Sequence, residues 1–191
     1  MTRKEQKEER RKAILMTALT LFVEKGYYDT KITDIAAAVP MSTGLMFHYF
    51  ESKEELLVEV VKMGAEGTRA LSGSADIPVP PDVFLTGFLT QMFAYAKEQP
   101  WVFNMFVLMS QVRRNGMPED ARRIASAVDS IDFTAQLIAR GQQDGIFRDG
   151  DPVLMARCFW ASVQGIMEEM AMDRNMAAPD AGWIVAMLRK G

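Results

Sequence analysis

Apolar residues recur at three- and four-residue steps along nearly the whole chain, and no stretch keeps the two-residue alternation of a strand. That rhythm predicts helices throughout and an all-α fold. A first helix is expected over about 7–25, with Ile14, Ala18 and Phe22 on one stripe and Leu15, Leu19 and Val23 beside it. Gly26 supplies a C′ residue to stop it. Thr30 is placed to cap a short helix over about 31–38, and Ser42 another over about 43–49. Ser52-Lys53-Glu54-Glu55 reads as a capping box that opens a fourth helix, running to about 70. The Gly-, Ser- and Pro-rich stretch from Ser72 to Pro81 is the clearest break. Beyond it, helices are predicted over about 82–98, 100–114, 119–142, 152–173 and 180–189, with Asp151-Pro152 as an N-cap and first-turn proline.

The inventory of reactive side chains excludes much chemistry. A chain of 191 residues, 49% hydrophobic and 25% charged, is long enough for one or two packed domains. One cysteine, Cys158, leaves no internal disulfide and no cysteine-based zinc site. One histidine, His48, argues against a His-rich metal centre or a His-based triad. No apolar run reaches the roughly 18 residues that cross a bilayer. The charged start MTRKEQKEERRK does not read as a secretory leader. A cytoplasmic, non-enzymatic protein with no metal, no cofactor and no membrane partner is expected. The net charge of −3 does not advertise nucleic acid, but its distribution is uneven. Residues 1–12 carry six basic and three acidic side chains, and residues 63–191 hold the entire acidic excess.

Residues 30–50 carry the most specific signal. Two short helices are separated by a tight turn at Val39–Met41. The second opens on Ser42, Thr43 and Gly44 and ends on His48 and Tyr49. Small residues at a helix start let backbone approach a grooved surface, and the free N–H groups there bind phosphate oxygens. Hydroxyls and an imidazole reach base edges or phosphates. A helix-turn-helix requires such a reading helix; an ordinary helical hairpin with a polar face shares the pattern. Phe22, Ile32, Ile35, Ala36, Leu45 and Phe50 read as the core beneath.

Gly26, Tyr27, Thr30, Ile32, Asp34, Ile35, Ala36, Ser42, Gly44, His48, Tyr49, Phe50, Ser52, Lys53, Glu54 and Leu56 fall at the spacing of a known motif. By these residues the first 50 or so positions resemble the TetR/AcrR family of bacterial regulators. The resemblance implies an N-terminal three-helix helix-turn-helix DNA-binding domain over 1–51. It also implies a larger C-terminal helical ligand-binding and dimerisation domain over 52–191, with the helix at 52–70 as connector. Residue by residue, it places Ser42, Thr43, Gly44, His48 and Tyr49 in or beside the major groove. Thr33 would reach DNA from the second helix, and Lys53 would meet a phosphate. Lys31 is a further phosphate candidate by position and charge.

Three positions depart from the family pattern. Pro40 stands where a turn glycine is usual; glycine permits a positive φ, whereas proline is fixed near −65°. Phe47 replaces a tyrosine whose hydroxyl typically contacts phosphate. Thr43 replaces a frequent lysine or arginine. Together they predict DNA binding that is weaker and less salt-sensitive than the family norm.

The larger domain is rich in soft, adaptable side chains, including many of the chain's 15 methionines. Phe84, Phe88, Met92, Trp101, Met105, Phe106, Met109, Trp160, Gln164 and Met167 are the candidate lining of an effector pocket; core packing accounts for any one of them singly. A mainly apolar small molecule is the expected effector. Helix 152–173 is apolar on several faces and therefore needs cover on several faces. With helix 180–189 it is expected to pair with its copy, through Val153, Ala156, Trp160, Ala161, Gly165, Ile184 and Leu188. A homodimer would then set two reading helices on a pseudo-palindromic double-stranded operator. The expected function is a ligand-responsive repressor. A small-molecule binding protein with a decayed helix-turn-helix is the alternative. An enzyme finds only Cys158 or the diverging Glu168–Glu169 pair to work with.

Overall fold

The computed structural model describes residues 2–69, 77–128 and 130–190. Among these the secondary structure is helical: α1 Arg3–Glu24, α2 Ile32–Ala38, α3 Thr43–Met46, α4 Lys53–Arg69, α5 Pro81–Glu98, α6 Trp101–Val112, α7 Glu119–Ser126, α8 Ile131–Gln143, α9 Pro152–Met172 and α10 Ala181–Ala186. The all-α expectation holds. Of the break predicted at 72–81, residues 72–76 lie outside the described residues, as does position 70 at the expected end of the fourth helix. No helix among the described residues is long and apolar enough to cross a membrane.

Several boundaries differ from the periodicity, each for a local reason. α1 starts four residues earlier than expected, because Thr2 and Glu5 form a reciprocal capping box. Thr30 does not cap α2; it is fully buried, and its hydroxyl turns back to the carbonyls of Gly26 and Leu21 at 2.8 and 3.1 Å. Lys31 takes the cap position, with its N–H donating to the Asp34 carboxylate at 3.1 Å. α3 ends at Met46 because the chain then tightens into bonds from His48 N–H to Leu45 O and Tyr49 N–H to Met46 O. The helix expected over 119–142 is two helices. α7 buries Ala121 and Ala125, α8 buries Thr134, Ala135, Leu137 and Ile138, and neither a glycine nor a proline marks the break.

The chain divides into two compact units, one taking the residues up to Gly67 together with Val107–Ala127, the other Thr68–Phe106 and Val128 onward. Most of α4 thus groups with the N-terminal helices rather than with the 52–191 segment. So do the second half of α6 and all of α7. In the N-terminal unit, α1 buries Ile14, Leu15, Ala18, Leu19 and Phe22 on the expected stripe, and α4 buries Leu56, Leu57, Val60 and Val61. Gly26 has φ +87°, the left-handed value that lets the chain leave α1 and turn into α2. Arg11 ties α1 to α4 by an ion pair with Glu59, and its guanidinium lies 5.1 Å from the Phe50 ring.

In the larger unit, α5, α8, α9 and α10 surround one apolar core that includes Leu85, Leu89, Phe93, Leu137, Ile138, Phe159, Val163, Met167 and Val185. Phe147 is buried in it beside Gly141, where a Cβ would sit 2.2 Å from the ring. Arg148 N–H donates to Leu188 O and Lys190 N–H to Ile146 O. This isolated bridge ends α10 sooner than the apolar pattern suggests.

Candidate nucleic-acid interface

α2 and α3 form the hairpin that the sequence marks as a reader. Ile35 and Ala36 of α2 are buried, and so are Met46 and Phe50 below α3. Ile32 and Leu45, both expected in this core, are only half-buried; Met46 takes the place of Leu45, because the four-residue α3 turns Met46 inward. The turn closes with Val39 N–H on Ile35 O and Met41 N–H on Ala36 O at 3.0 Å. Val39 has φ −99° and ψ 23°, and no described residue other than glycine has a positive φ. The turn therefore runs without the left-handed residue that a glycine would supply, and Pro40 fits it unstrained.

The opposite face is open. Ser42, Gly44 and His48 are exposed, Thr43 and Tyr49 half-buried, and Phe47 presents its ring at 51% exposure. The Ser42 hydroxyl accepts the Leu45 N–H at 3.2 Å, so it caps α3 and still has a proton to donate outward. A Cβ on Gly44 would meet no atom within 4 Å. Lys31 and Thr33, at the start of α2, are exposed as well.

Lys53 is placed differently. Its ammonium lies 2.9 Å from Tyr27 O, 3.0 Å from Thr30 O and 3.4 Å from Tyr28 O. It also sits 4.4 Å from the centre of the Tyr27 ring and 5.9 Å from that of Tyr28. Tyr27 OH donates to Glu54 at 3.0 Å, and Tyr28 OH donates to Gly116 O at the corner between α6 and α7. Burial, reinforced by Glu54, pushes the Tyr27 phenol well up. The Glu54 carboxyl is held low by its own backbone N–H and by Tyr27. Asp34 is held low by the Lys31 backbone N–H, with Lys25 3.6 Å away. Glu59 is held low by Lys62 and Arg11. The sequence pattern contains Gly26, Tyr27, Lys53 and Glu54 as motif positions, but nothing in their spacing says that they meet; Tyr28 and Gly116 carry no signal at all.

The candidate pocket residues separate. Phe84, Phe88, Met92, Phe106 and Trp160 are half-buried against the core of the larger unit, and Met167 lies within it. Phe84 stacks on Phe88, and Phe88 meets Trp160 edge to face. Trp160 donates to the buried Thr134 hydroxyl at 2.9 Å, and Gln164 donates to Phe106 O and to Glu168. Trp101 instead meets Tyr95, and Met105 is buried without joining that cluster. Met109 belongs to the N-terminal unit. Two depressions of about 320 Å³ lie elsewhere and share no residue with the ten. One is lined by Met16, Thr17, Thr20, Leu21 and Ala38, the other by residues of α9 and the C-terminal segment that include Leu154, Cys158 and Met187.

The candidate pairing face also separates. Ala156, Ile184 and Leu188 are buried in the unit's own core and cannot form an outward surface; the helical phase that buries Phe159 and Val163 turns Ala156 inward with them. Val153, Ala161 and Gly165 are exposed and Trp160 half-buried. The outward stripe of α9 runs instead through Leu154, Cys158, Ala161, Gly165 and Met172, with Trp183 and Met187 exposed on and after α10.

Residues 14–60 match the family described as bacterial regulatory proteins, tetR family. The chain is 46% identical over 55 residues to the HTH-type transcriptional regulator HbdR of Aromatoleum sp. (strain CIB), a match covering 29% of this chain and 24% of HbdR. It is 27% identical over 158 residues to the HTH-type transcriptional repressor DhaR of Mycobacterium sp. (strain GP1), covering 81% of this chain and 79% of DhaR. The fold matches the solved structure of the MbdR regulator from Azoarcus sp. CIB with a TM-score of 0.80 at 24% identity, over 95% of this chain and 98% of that one. It matches AibR, solved with isovaleryl coenzyme A and operator DNA, with a TM-score of 0.73 at 24% identity, over 94% and 98%. Residues 14–60 thus carry the N-terminal motif of the tetR family of bacterial regulatory proteins, and the chain as a whole has the fold of the solved regulators it matches.

Proposed function

We propose that the chain is a homodimeric, ligand-responsive repressor, released from a pseudo-palindromic operator by a mainly apolar small molecule. The observation that carries this reading is the open face of α3, where Ser42, Gly44, Phe47 and His48 stand out over the buried Met46 and Phe50. Thr43 and Tyr49 flank that face, and Lys31 and Thr33 supply contacts from α2. A second copy covers the outward stripe of α9. The half-buried row Phe84, Phe88, Met92, Phe106 and Trp160, already resting on an apolar core, is where an apolar effector enters by repacking. DhaR being a repressor and AibR being solved with both a thioester ligand and operator DNA support the same reading. Release is a population shift: a ligand that favours another arrangement of the larger unit lowers DNA affinity by its differential affinity, about 5–150-fold for a coupling of 1–3 kcal/mol.

The test is selection of bound duplexes from a random pool, with wild type and Gly44→Glu. The glutamate has room on the folded domain and sets a carboxylate against the phosphates, so a loss of about a hundredfold or more in affinity is expected with an unchanged melting temperature. Wild type that enriches no sequence at low salt favours instead a small-molecule binding protein whose reader has decayed, as Thr43 and Phe47 suggest.

A further inference from the structure

We propose that the first turns of α1 carry a second DNA-contact surface, in which Arg3, Lys4, Lys7 and Arg10 lie along duplex phosphates beside the stretch that α3 reads. The inference rests on the DNA-binding reading above and adds a contact to it. α1 outruns the fold. Residues 2–10 are all exposed and Ile14 is the first buried one, so Arg3–Ala13 carry the helix about 16 Å past its core. At about 100° per residue, Arg3, Lys4, Lys7, Arg10 and Arg11 fall within about 120° of arc. Glu5, Glu8 and Glu9 take another side, with Lys12 among them. The basic stripe continues the core-facing row, because Ile14 and Ala18 stand seven residues after Lys7 and Arg11. Arg11 marks where cover ends: it pairs with Glu59, and its guanidinium lies 5.1 Å from the centre of the Phe50 ring. Phe50 directly follows His48 and Tyr49, so the stripe leaves the domain beside the end of the α2–α3 hairpin. Beyond Arg11, no hydrogen bond or ion pair among the described residues involves the side chain of Arg3, Lys4, Lys7 or Arg10.

This arrangement works against the helix that carries it. Lys7 has like charges four residues to either side, at Arg3 and Arg11, and Arg3 and Lys4 set positive charge at the positive end of the helix dipole. A solvated helix start is served better by the same charges in alternating sign. A polyanion running along the stripe offsets both costs, and a duplex backbone is one, with a charge about every 1.7 Å of axis. It would also return to the reader the positive charge that Thr43 does not supply.

The test is the slope of log affinity against log salt on a selected duplex. Lys7→Gln combined with Arg10→Gln should make that slope shallower by about 1.8, the value for two phosphate contacts, and leave the enriched sequence the same. The melting temperature should not fall, since both side chains are exposed and a like-charge row is relieved. Lys12→Gln, on the side of the glutamates, should keep the wild-type slope. A double variant with the wild-type slope overturns the proposal. So does a Lys12→Gln slope that is shallower by about 0.9, because the effect is then one of net charge alone. Should the double variant not fold, Lys7→Gln decides: a change of about 0.9 is expected, and no change contradicts the proposal. Wild type that enriches no sequence, yet binds random duplex with a slope that the double variant flattens, sinks the reader and keeps the stripe. Wild type that binds no duplex at low salt overturns the stripe as well, and so does a double variant that loses only binding to phosphatidylglycerol vesicles.

Discussion

The α1-to-α4 region and the α5, α8, α9, α10 core are held by different chemistry. Between Lys25 and Glu55, the backbone path is set by side chains that bond to it: Lys53 to three carbonyls, Thr30 to Gly26 and Leu21, Asp34 to Lys31, Ser42 to Leu45, Ser52 to Glu55. Such bonds specify distance and direction, so they hold the hairpin to one geometry. The larger unit is built round an aliphatic, methionine and aromatic core, and its many polar ties, such as Arg140 to Ile77 O and Val79 O, Arg174 to Pro100 O and Arg189 to Asp82, mostly join half-exposed side chains at the edge of that core. Packing of this kind tolerates rearrangement. Charge divides in the same way: the N-terminal unit sums to +1 and the larger unit to −4 over the full sequence. On the function proposed above, the first unit would serve as the reader and the second as the sensor.

The largest effect is expected in the apolar core. Phe159→Ala is expected to destabilise the larger unit by about 3–5 kcal/mol. All three tryptophans, Trp101, Trp160 and Trp183, lie in that unit, so their emission should report the loss directly. The next effect is on assembly. Gly165 is exposed on α9, and a Cβ there meets nothing within 4 Å. Gly165→Arg should leave the melting of the isolated chain unchanged and weaken self-association about a hundredfold, by placing an unpaired charge in an apolar contact. Sedimentation over a concentration series reads this; unaltered association would remove α9 from the interface.

Legibility follows the same division. The α2–α3 hairpin could be located from sequence because capping and turn residues act over three or four positions. Even so, Thr30 was expected as a cap and is instead an inward-facing bond, since a threonine hydroxyl serves either purpose locally. Lys53 was expected on a phosphate from the resemblance; that it meets Tyr27 and Thr30 depends on a contact across more than twenty residues. In the larger unit the apolar stripe of α9 showed that the helix is covered on more than one side, but not which side looks inward. Ala156 and Cys158 differ by only two positions, and only the packing of α8 and α10 decides that the first is buried and the second exposed. The break between α7 and α8 was invisible because no glycine or proline makes it.

Smaller effects refine the account of the N-terminal unit. Gly26→Ala forces a Cβ into φ +87° and should cost about 1–2 kcal/mol of that unit's stability, read as a lower melting midpoint in far-ultraviolet dichroism. Acid acts on the same unit. Asp34, Glu54 and Glu59 have carboxyls held below their unfolded values. Their contribution is complete above the unfolded carboxylate range, about 4, and is lost as pH falls through their lower folded values. A titration from neutral pH should leave stability flat until about pH 4.5 and lower it beneath that. Loss already at pH 6 would point to another group.

On the function proposed above, two copies of the open α3 face meet one duplex. Hydroxyl-radical footprinting on a selected duplex, combined with the mass of the complex in sedimentation, tests it most directly. Two chains per duplex are expected, with two protected patches whose centres lie about 34 Å apart or a multiple of it. Both patches should disappear with Gly44→Glu. A single chain per duplex, or protection that survives this substitution, would rule out a paired α3 reader.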